Sequence, residues 1–393
     1  MNKVRFGIVG CGRMGIGHLK NFLEGKIENG YISAVCDTDP DKFAFFKQSL
    51  GDGIKYYTSV EKMFKSGECD VVIICVPHYQ HSSLAILAMD NNLHCIVEKP
   101  AGVYTLQVKE MLERSKSSDR ILGIMFNQRT NPVFKKMREM IQEGMLGEIK
   151  RTNWIITNWY RTQEYYNSGS WRATWAGEGG GVLLNQAPHN LDLFQWIVGM
   201  MPTKVRAFCH FGKWHDIEVE DDVTCYCEYP NGATGVFITS TGDAPGTNRF
   251  EVTGTKGTLI MNYDDYDNSF NLYFKELEID ERVHCVTAED GFMLPPSKPT
   301  VKLKIENENS QRSQHAGICN NIANAILGLE EVYVHASEGI YGVQLANAML
   351  LSTWLNKEIE LPFDDELFYK ELQKRISISK NKFSNKKEVV PQN

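Results

Sequence analysis

Short apolar runs and amphipathic stretches alternate along the first third of the chain. Apolar, β-branched runs at 4–9, 31–36, 54–57, 70–76, 94–97 and 121–126 predict strands. Between them, helical patterning recurs from just past Gly15 to about 23, and at about 41–50, 59–65, 82–91 and 105–115. The run Asp70-Val71-Val72-Ile73-Ile74-Cys75-Val76 has no polar face, and Pro77 stops it. Strands buried on both faces and alternating with helices predict a parallel sheet. Beyond about residue 127 the pattern changes. One helical stretch at 132–143 is followed by longer strands at 148–159, 204–211, 222–229, 234–239, 249–253, 258–261, 270–274 and 300–305. Pro230-Asn231-Gly232 and Gly254-Thr255-Lys256-Gly257 read as hairpin turns between neighbouring strands. Helices are predicted at about 313–328 and 337–357. The expected fold class is α/β. A dinucleotide-binding domain at 1–126 precedes an α/β domain at 127–372 with a large, mostly antiparallel sheet, and 373–393 reads as a polar tail.

Composition narrows the function classes. A chain of 393 residues with 42% hydrophobic and 23% charged residues is long enough for two cores. The net charge of −7 argues against a nucleic-acid binder, which needs a basic surface. No apolar run approaches the roughly 18 residues of a membrane span, and the N-terminus does not read as a signal peptide. Ten cysteines are scattered without a CxxC pair, as expected of reduced thiols in a cytoplasmic protein. His210 and His215 have no third ligand at recognisable spacing, so no metal site is expected.

Gly10-Cys11-Gly12-Arg13-Met14-Gly15 fits G-x-G-x-x-G between the first strand and the first helix. Gly10 permits a tight turn, Gly12 lets a pyrophosphate approach the backbone, and Gly15 lets helix and strand pack closely. Asp37 ends the second strand, where a carboxylate accepts from ribose hydroxyls and repels a 2′-phosphate. NAD is therefore the expected cofactor.

Three further motifs carry a resemblance: Val76-Pro77-His78-Tyr79-Gln80-His81, Glu98-Lys99-Pro100, and Gly179-Gly180-Gly181 leading into Asn185-Gln186-Ala187-Pro188-His189-Asn190-Leu191-Asp192. Together they resemble the glucose–fructose oxidoreductase and inositol dehydrogenase (Gfo/Idh/MocA) family over roughly residues 3–360. The resemblance implies a Rossmann domain, a second domain whose open sheet face forms subunit contacts in a homodimer or homotetramer, and oxidation or reduction of sugars, inositols and related polyols. It implies that Lys99 and His189 are catalytic. It also implies that Val76, Pro77, His81, Glu98, Lys99, Trp171 and Arg172 join Gly10, Gly12, Arg13, Met14, Gly15 and Asp37 around the cofactor. Asn185 stands where most members carry aspartate. That variant is similar to a sub-branch of glycoside and anhydrosugar dehydrogenases, some acting at C3 of a pyranose.

The residue chemistry agrees with that reading. Alcohol oxidation needs a hydride acceptor, a base for the hydroxyl proton, and stabilisation of the oxygen. An imidazole near its ordinary pKa of about 6.5 is a suitable base, which His189 would supply. Lys99 would donate to the reacting oxygen. Asn185, His189, Asp192 and Trp196 share one face if the helix begins early enough, provided Pro188 lies in its first turn. Tyr160, Arg161 and Tyr165 lie in an aromatic and cationic stretch suited to sugar binding, or else to a subunit interface. Together with Asn127, Asn185 and Asp192 they form the expected substrate set. Two other functions stay open: a glycosidase that oxidises its substrate transiently with retained NAD, and a sugar- or dinucleotide-sensing regulator.

Overall fold

The computed structural model describes residues 3–305 and 312–379. The first six predicted strands form: β1 (Val4–Val9), β2 (Gly30–Cys36), β3 (Lys55–Tyr57), β4 (Val71–Ile74), β5 (His94–Val97) and β6 (Leu122–Ile124). All their pairings are parallel, in the order β3-β2-β1-β4-β5-β6. The order reverses beside β1, so the crevice at the carboxyl ends of β1 and β4 is where such sheets take a dinucleotide. Every residue of β4 is buried, because helices cover both faces of a parallel sheet.

The nine remaining strands make a second sheet: β7 (Ile149–Ile156), β8 (Lys204–Phe211), β9 (Glu220–Glu228), β10 (Thr234–Ser240), β11 (Asn248–Gly254), β12 (Gly257–Asp264), β13 (Ser269–Glu276), β14 (Val301–Lys302) and β15 (Ile359–Glu360). Their order is β14-β13-β12-β11-β7-β10-β9-β8-β15. Only the β7–β10 pairing is parallel. Both expected hairpins are present. The register lines up one row of fully buried side chains across seven strands: Ala207, Cys225, Phe237, Trp154, Phe250, Met261 and Leu272. The alternate row faces outward and includes Phe208, Ile238 and Ile155. Period-two patterning fixes which row is buried, since a slip of one residue would exchange them.

The chain forms two compact units that are not contiguous in sequence. The first draws its described residues from Met1–Gln142, His189–Gly199 and Lys304–Val343, and the second from Glu143–Pro188, Met200–Leu303 and Gln344–Asn393. In the first unit the helix Gln314–Ile326 closes on the connection between the helix Arg13–Leu23 and β2. Asn320 Oδ1 accepts from the Glu28 amide at 2.9 Å, Asn320 Nδ2 donates to the Lys26 carbonyl at 2.7 Å, and Asn29 Nδ2 donates to Asn324 Oδ1 at 2.8 Å. The helix Asp365–Ile376 was not anticipated by the sequence reading and runs into the stretch expected as tail. Residues 380–393 of that expected tail lie outside the described residues. No helix among the described residues is long and apolar enough to cross a membrane.

Candidate active site

Within the first unit, the glycine turn has the shape its motif predicts. Gly10 has φ +98°, and a Cβ there would lie 2.4 Å from the Cys75 carbonyl oxygen. A Cβ on Gly15 would meet the Gly10 carbonyl at 2.1 Å. Gly12 is different: nothing lies within 4 Å of a Cβ added there. It caps the helix Arg13–Leu23 without a side-chain hydrogen bond, so the first amides of that helix are left to an outside acceptor. Arg13 and Met14 are exposed in its first turn. Asp37 accepts from the Cys11 amide at 2.8 Å and from the Asp39 amide at 3.0 Å, which fixes its carboxylate beside the turn. Lys42 Nζ is 3.5 Å from it. The open space at Gly12, the uncapped amides and the fixed carboxylate fit a dinucleotide.

Glu98 and Lys99 follow β5. Glu98 is buried, and its Oε1 accepts from His18 Nε2 at 2.7 Å. Burial would raise this carboxyl, but the hydrogen bond and charge of His18 outweigh it and hold the group at about 2. His315 Nε2 lies 3.9 Å from the same oxygen, and the His18 and His315 rings meet edge to face at 5.3 Å. Neither histidine figured in the sequence reading. His18 belongs to the buried face Gly15, His18, Leu19 of its helix, an i, i+3, i+4 spacing that marks it as an inward side chain. Nitrogen, sulfur and oxygen donors of His18, Cys75 and Glu98 lie within 4.8 Å of one another. His18 and Glu98 already hydrogen-bond to each other through Nε2 and Oε1.

The helix Pro188–Val198 supplies His189. Proline stands at its first position, where the missing amide hydrogen costs nothing. His189 is half-buried, and its Nδ1 is buried with no hydrogen-bond partner. Burial, then the Lys99 charge, push this imidazole well below its ordinary value. It is therefore neutral at neutral pH and able to accept a proton.

The same helix corrects two expectations. Asn185 lies before the helix, so it does not continue the face of His189, Asp192 and Trp196. Asp192 is not available to a substrate: its two oxygens accept from Arg129 Nε at 2.7 Å and Nη2 at 2.6 Å, with both side chains about 1% exposed. Glu338 closes on the other side of the same guanidinium. Asn127 donates to Gln314 Oε1 at 2.8 Å, while its own Oδ1 is buried without a partner. His81, expected beside the cofactor, is 1% exposed, and both of its ring nitrogens bond to main-chain carbonyls, those of Val76 and Pro100. Pro77 leads into the short turn His78–Gln80 ahead of it.

The second unit gathers most of the other expected substrate groups. Tyr165 stands on the helix Gln163–Asn167 with the Arg172 guanidinium 4.6 Å over its ring and Arg161 at 5.1 Å. Arg172 Nη1 donates to the Tyr165 hydroxyl at 2.9 Å, and Gln186 Nε2 donates to it at 3.2 Å. Arg172 also stacks on Trp171 at 4.5 Å. Asn185 Nδ2 donates to Glu178, a buried carboxylate the sequence reading missed although it directly precedes the glycine run. Arg172 lies 3.9 Å from Glu178, so its charge is offset by a buried carboxylate, while Arg161 adds a second cation on the Tyr165 ring. Tyr160 is half exposed, and its carbonyl accepts from Arg161 Nη1 at 2.8 Å. His215 bonds to Asp221 at 3.0 Å and to the Arg161 carbonyl at 2.8 Å, while His210 bonds to Asp222 at 3.1 Å.

A parallel sheet with this glycine turn and acidic strand end defines an NAD-binding oxidoreductase. Residues 4–126 match the family model described as oxidoreductase family, NAD-binding Rossmann fold, and residues 134–260 match the GFO/IDH/MocA C-terminal domain. The chain belongs to the Gfo/Idh/MocA family. Myo-inositol 2-dehydrogenase of Thermotoga maritima is 27% identical over 264 residues, which cover 65% of this chain and 75% of that protein. Two solved structures share the fold. The WlbA dehydrogenase of Bordetella pertussis, in complex with NADH and UDP-GlcNAcA, superposes with a TM-score of 0.74 at 23% identity over 92% of this chain and all of that one. Levoglucosan dehydrogenase, in complex with NADH and levoglucosan, gives 0.74 at 19% identity over 92% and 100%.

Proposed function

We propose that this oxidoreductase transfers hydride between NAD and a CH–OH group of a sugar, glycoside or polyol, with Lys99 and His189 as its catalytic pair. The observation that carries the reading is the placement of His189 within the NAD-binding unit, half-buried with its Nδ1 buried and lacking a hydrogen-bond partner, where burial and the Lys99 charge favour the neutral imidazole. NAD, when bound, takes up the hydride. Gly10, Gly12 and Gly15 would hold its pyrophosphate, and Asp37 its ribose. His189 accepts the hydroxyl proton, and the Lys99 ammonium stabilises the negative charge that develops on oxygen. The Tyr165 ring with its two guanidinium neighbours, the Glu178 carboxylate and the amides of Asn185 and Gln186 suit a hydroxyl-rich substrate. Asn185 in place of a carboxylate favours pyranosides and anhydrosugars, with C3 the first carbon to examine. The outward row of the nine-stranded sheet is assigned to contact with a second copy of this chain.

The test follows reduced nicotinamide by absorbance with purified protein, NAD or NADP, and a panel of pyranosides, anhydrosugars and inositols. NADH is expected with at least one of them. His189→Ala and Lys99→Ala should each lower kcat/KM by about 10²–10⁴. Cleavage of an aryl glycoside without net NADH, or turnover untouched by either substitution, would overturn the proposal.

A further inference from the structure

The His81 ring makes two hydrogen bonds of a kind that a neutral imidazole cannot make together. Nδ1 lies 2.7 Å from the Pro100 carbonyl oxygen and Nε2 lies 2.8 Å from the Val76 carbonyl oxygen. A carbonyl oxygen only accepts, so each bond needs its own N–H. A neutral ring has one N–H, and its other nitrogen would point a lone pair at a carbonyl lone pair less than 3 Å away. The two carbonyls belong to different segments: Val76 lies just beyond β4, and Pro100 directly follows Lys99. The next residue adds a parallel tie, since Ser82 Oγ donates to the Ala101 carbonyl at 3.2 Å.

We propose that His81 is a positioning residue for Lys99: as a doubly protonated imidazolium it braces the Lys99-Pro100 segment against the end of β4, and loss of one ring proton releases one of the two anchors.

The groups around the ring set how firmly the brace is held. Burial is the largest influence and pushes His81 below the ordinary imidazole value; the carbonyls of Pro100 and Val76 and the Glu98 carboxylate pull it up, and the Lys99 charge pushes it down again. The His78 ring lies 5.7 Å away at a tilt of 58°. The brace therefore titrates rather than standing as a permanent cation. As pH rises through that titration, the Lys99 ammonium should lose alignment while the cofactor turn, held separately by Asp37 and Gly10, keeps its shape. The proposal rests on Lys99 acting as assigned above, so its first readout is independent of turnover.

Nitrogen-15 NMR of histidine-labelled full-length protein with NAD bound, recorded from about pH 5 to 9, reads the ring directly. The His81 signal is assigned by its loss in His81→Gln. The expected result is a cationic ring with both N–H protons slow to exchange at the acid end, converting to a neutral tautomer below the ordinary imidazole range. The wild-type kcat should fall along the same titration. His81→Gln, which can donate to only one carbonyl in this geometry, should lower kcat by on the order of tenfold to a hundredfold, leave the Kd for NAD unchanged, and lack that pH limb. His81→Asn serves if the glutamine variant does not fold. A ring that stays neutral wherever the protein is folded overturns the proposal, as does a kcat that ignores the titration. If Lys99→Ala leaves turnover intact, the catalytic assignment fails instead, and the NMR result still decides the brace.

Discussion

A base is useful only while it is unprotonated. Burial and the Lys99 charge both disfavour the charged form of His189, so its ordinary titration is moved to lower pH. The acid limb of alcohol oxidation, which protonation of His189 sets, should therefore lie at a pH well below an ordinary imidazole's. Lys99→Met removes the cation that contributes to this shift. Whatever activity remains should show an acid limb displaced upward, toward the unperturbed value. The pH dependence of kcat/KM for both proteins checks this, and coincident limbs would contradict it.

At the same scale, Glu220 shows how much a single buried carboxyl can weigh. Its Oε1 accepts from the Gly181 amide at 2.8 Å and the Leu183 amide at 3.0 Å, while Oε2 is buried with no partner. Burial raises this group from 4.5 to about 7. Below the unfolded value both states hold the proton and nothing is lost. Between the two values only the folded state holds it, so stability falls as pH rises, and above about 7 the loss is complete. At roughly 1.4 kcal/mol per pH unit the loss is about 3 kcal/mol. Glu220→Gln keeps the acceptor and removes the titration. Thermal unfolding of the variant should match wild type near pH 4.5 and exceed it above pH 7.

Among the elements, the helix Pro188–Val198 shows where sequence reading stops. Its existence, a proline in its first turn and the inward set Leu191, Phe194 and Val198 were all legible, because 3.6-residue periodicity reports burial directly. Its start was legible only to within the first turn, because Pro188 is tolerated anywhere in that turn. That error moved Asn185 onto a helix face it does not share, and the carboxylate of Asp192 was assigned to the substrate set without its true partner. Its Arg129 partner lies 63 positions away, and no local pattern encodes such a pairing. The pairing of His18 with Glu98 escaped for the same reason, the two being 80 positions apart. The glycine turn and Asp37, by contrast, were readable, since their chemistry is contained within one β-α-β unit. The Arg129–Asp192 pair also makes a sharp prediction for this element. Arg129→Met strands a buried carboxylate and should cost about 3–5 kcal/mol in urea unfolding. Replacing both residues, Arg129→Met with Asp192→Leu, should recover much of the loss.

For the whole molecule, the open row of the nine-stranded sheet matters most. Phe208 is 53% exposed and Tyr226 41%, with Ile155 exposed on the same face. The proposed contact with a second copy rests on this exposed apolar face, since contiguous apolar patches are costly to leave in water. Phe208→Asp together with Tyr226→Asp should shift the mass measured by light scattering from an oligomer to a single chain and leave NAD binding in place. A wild-type protein that is already monomeric at micromolar concentration would refute the assignment.

The scattered origin of the first unit has a temporal consequence. Its sheet is complete in sequence by residue 124, yet the helix that ties down the Lys26–Asn29 connection spans Gln314–Ile326. At about 5–20 residues per second, a ribosome needs roughly ten to forty seconds to travel from the first stretch to the last. During that interval the nascent dinucleotide-binding lobe waits with an unfilled seat, which a chaperone could occupy. Chains released before residue 314 should be caught by quality control even though every glycine of the cofactor turn has already been made.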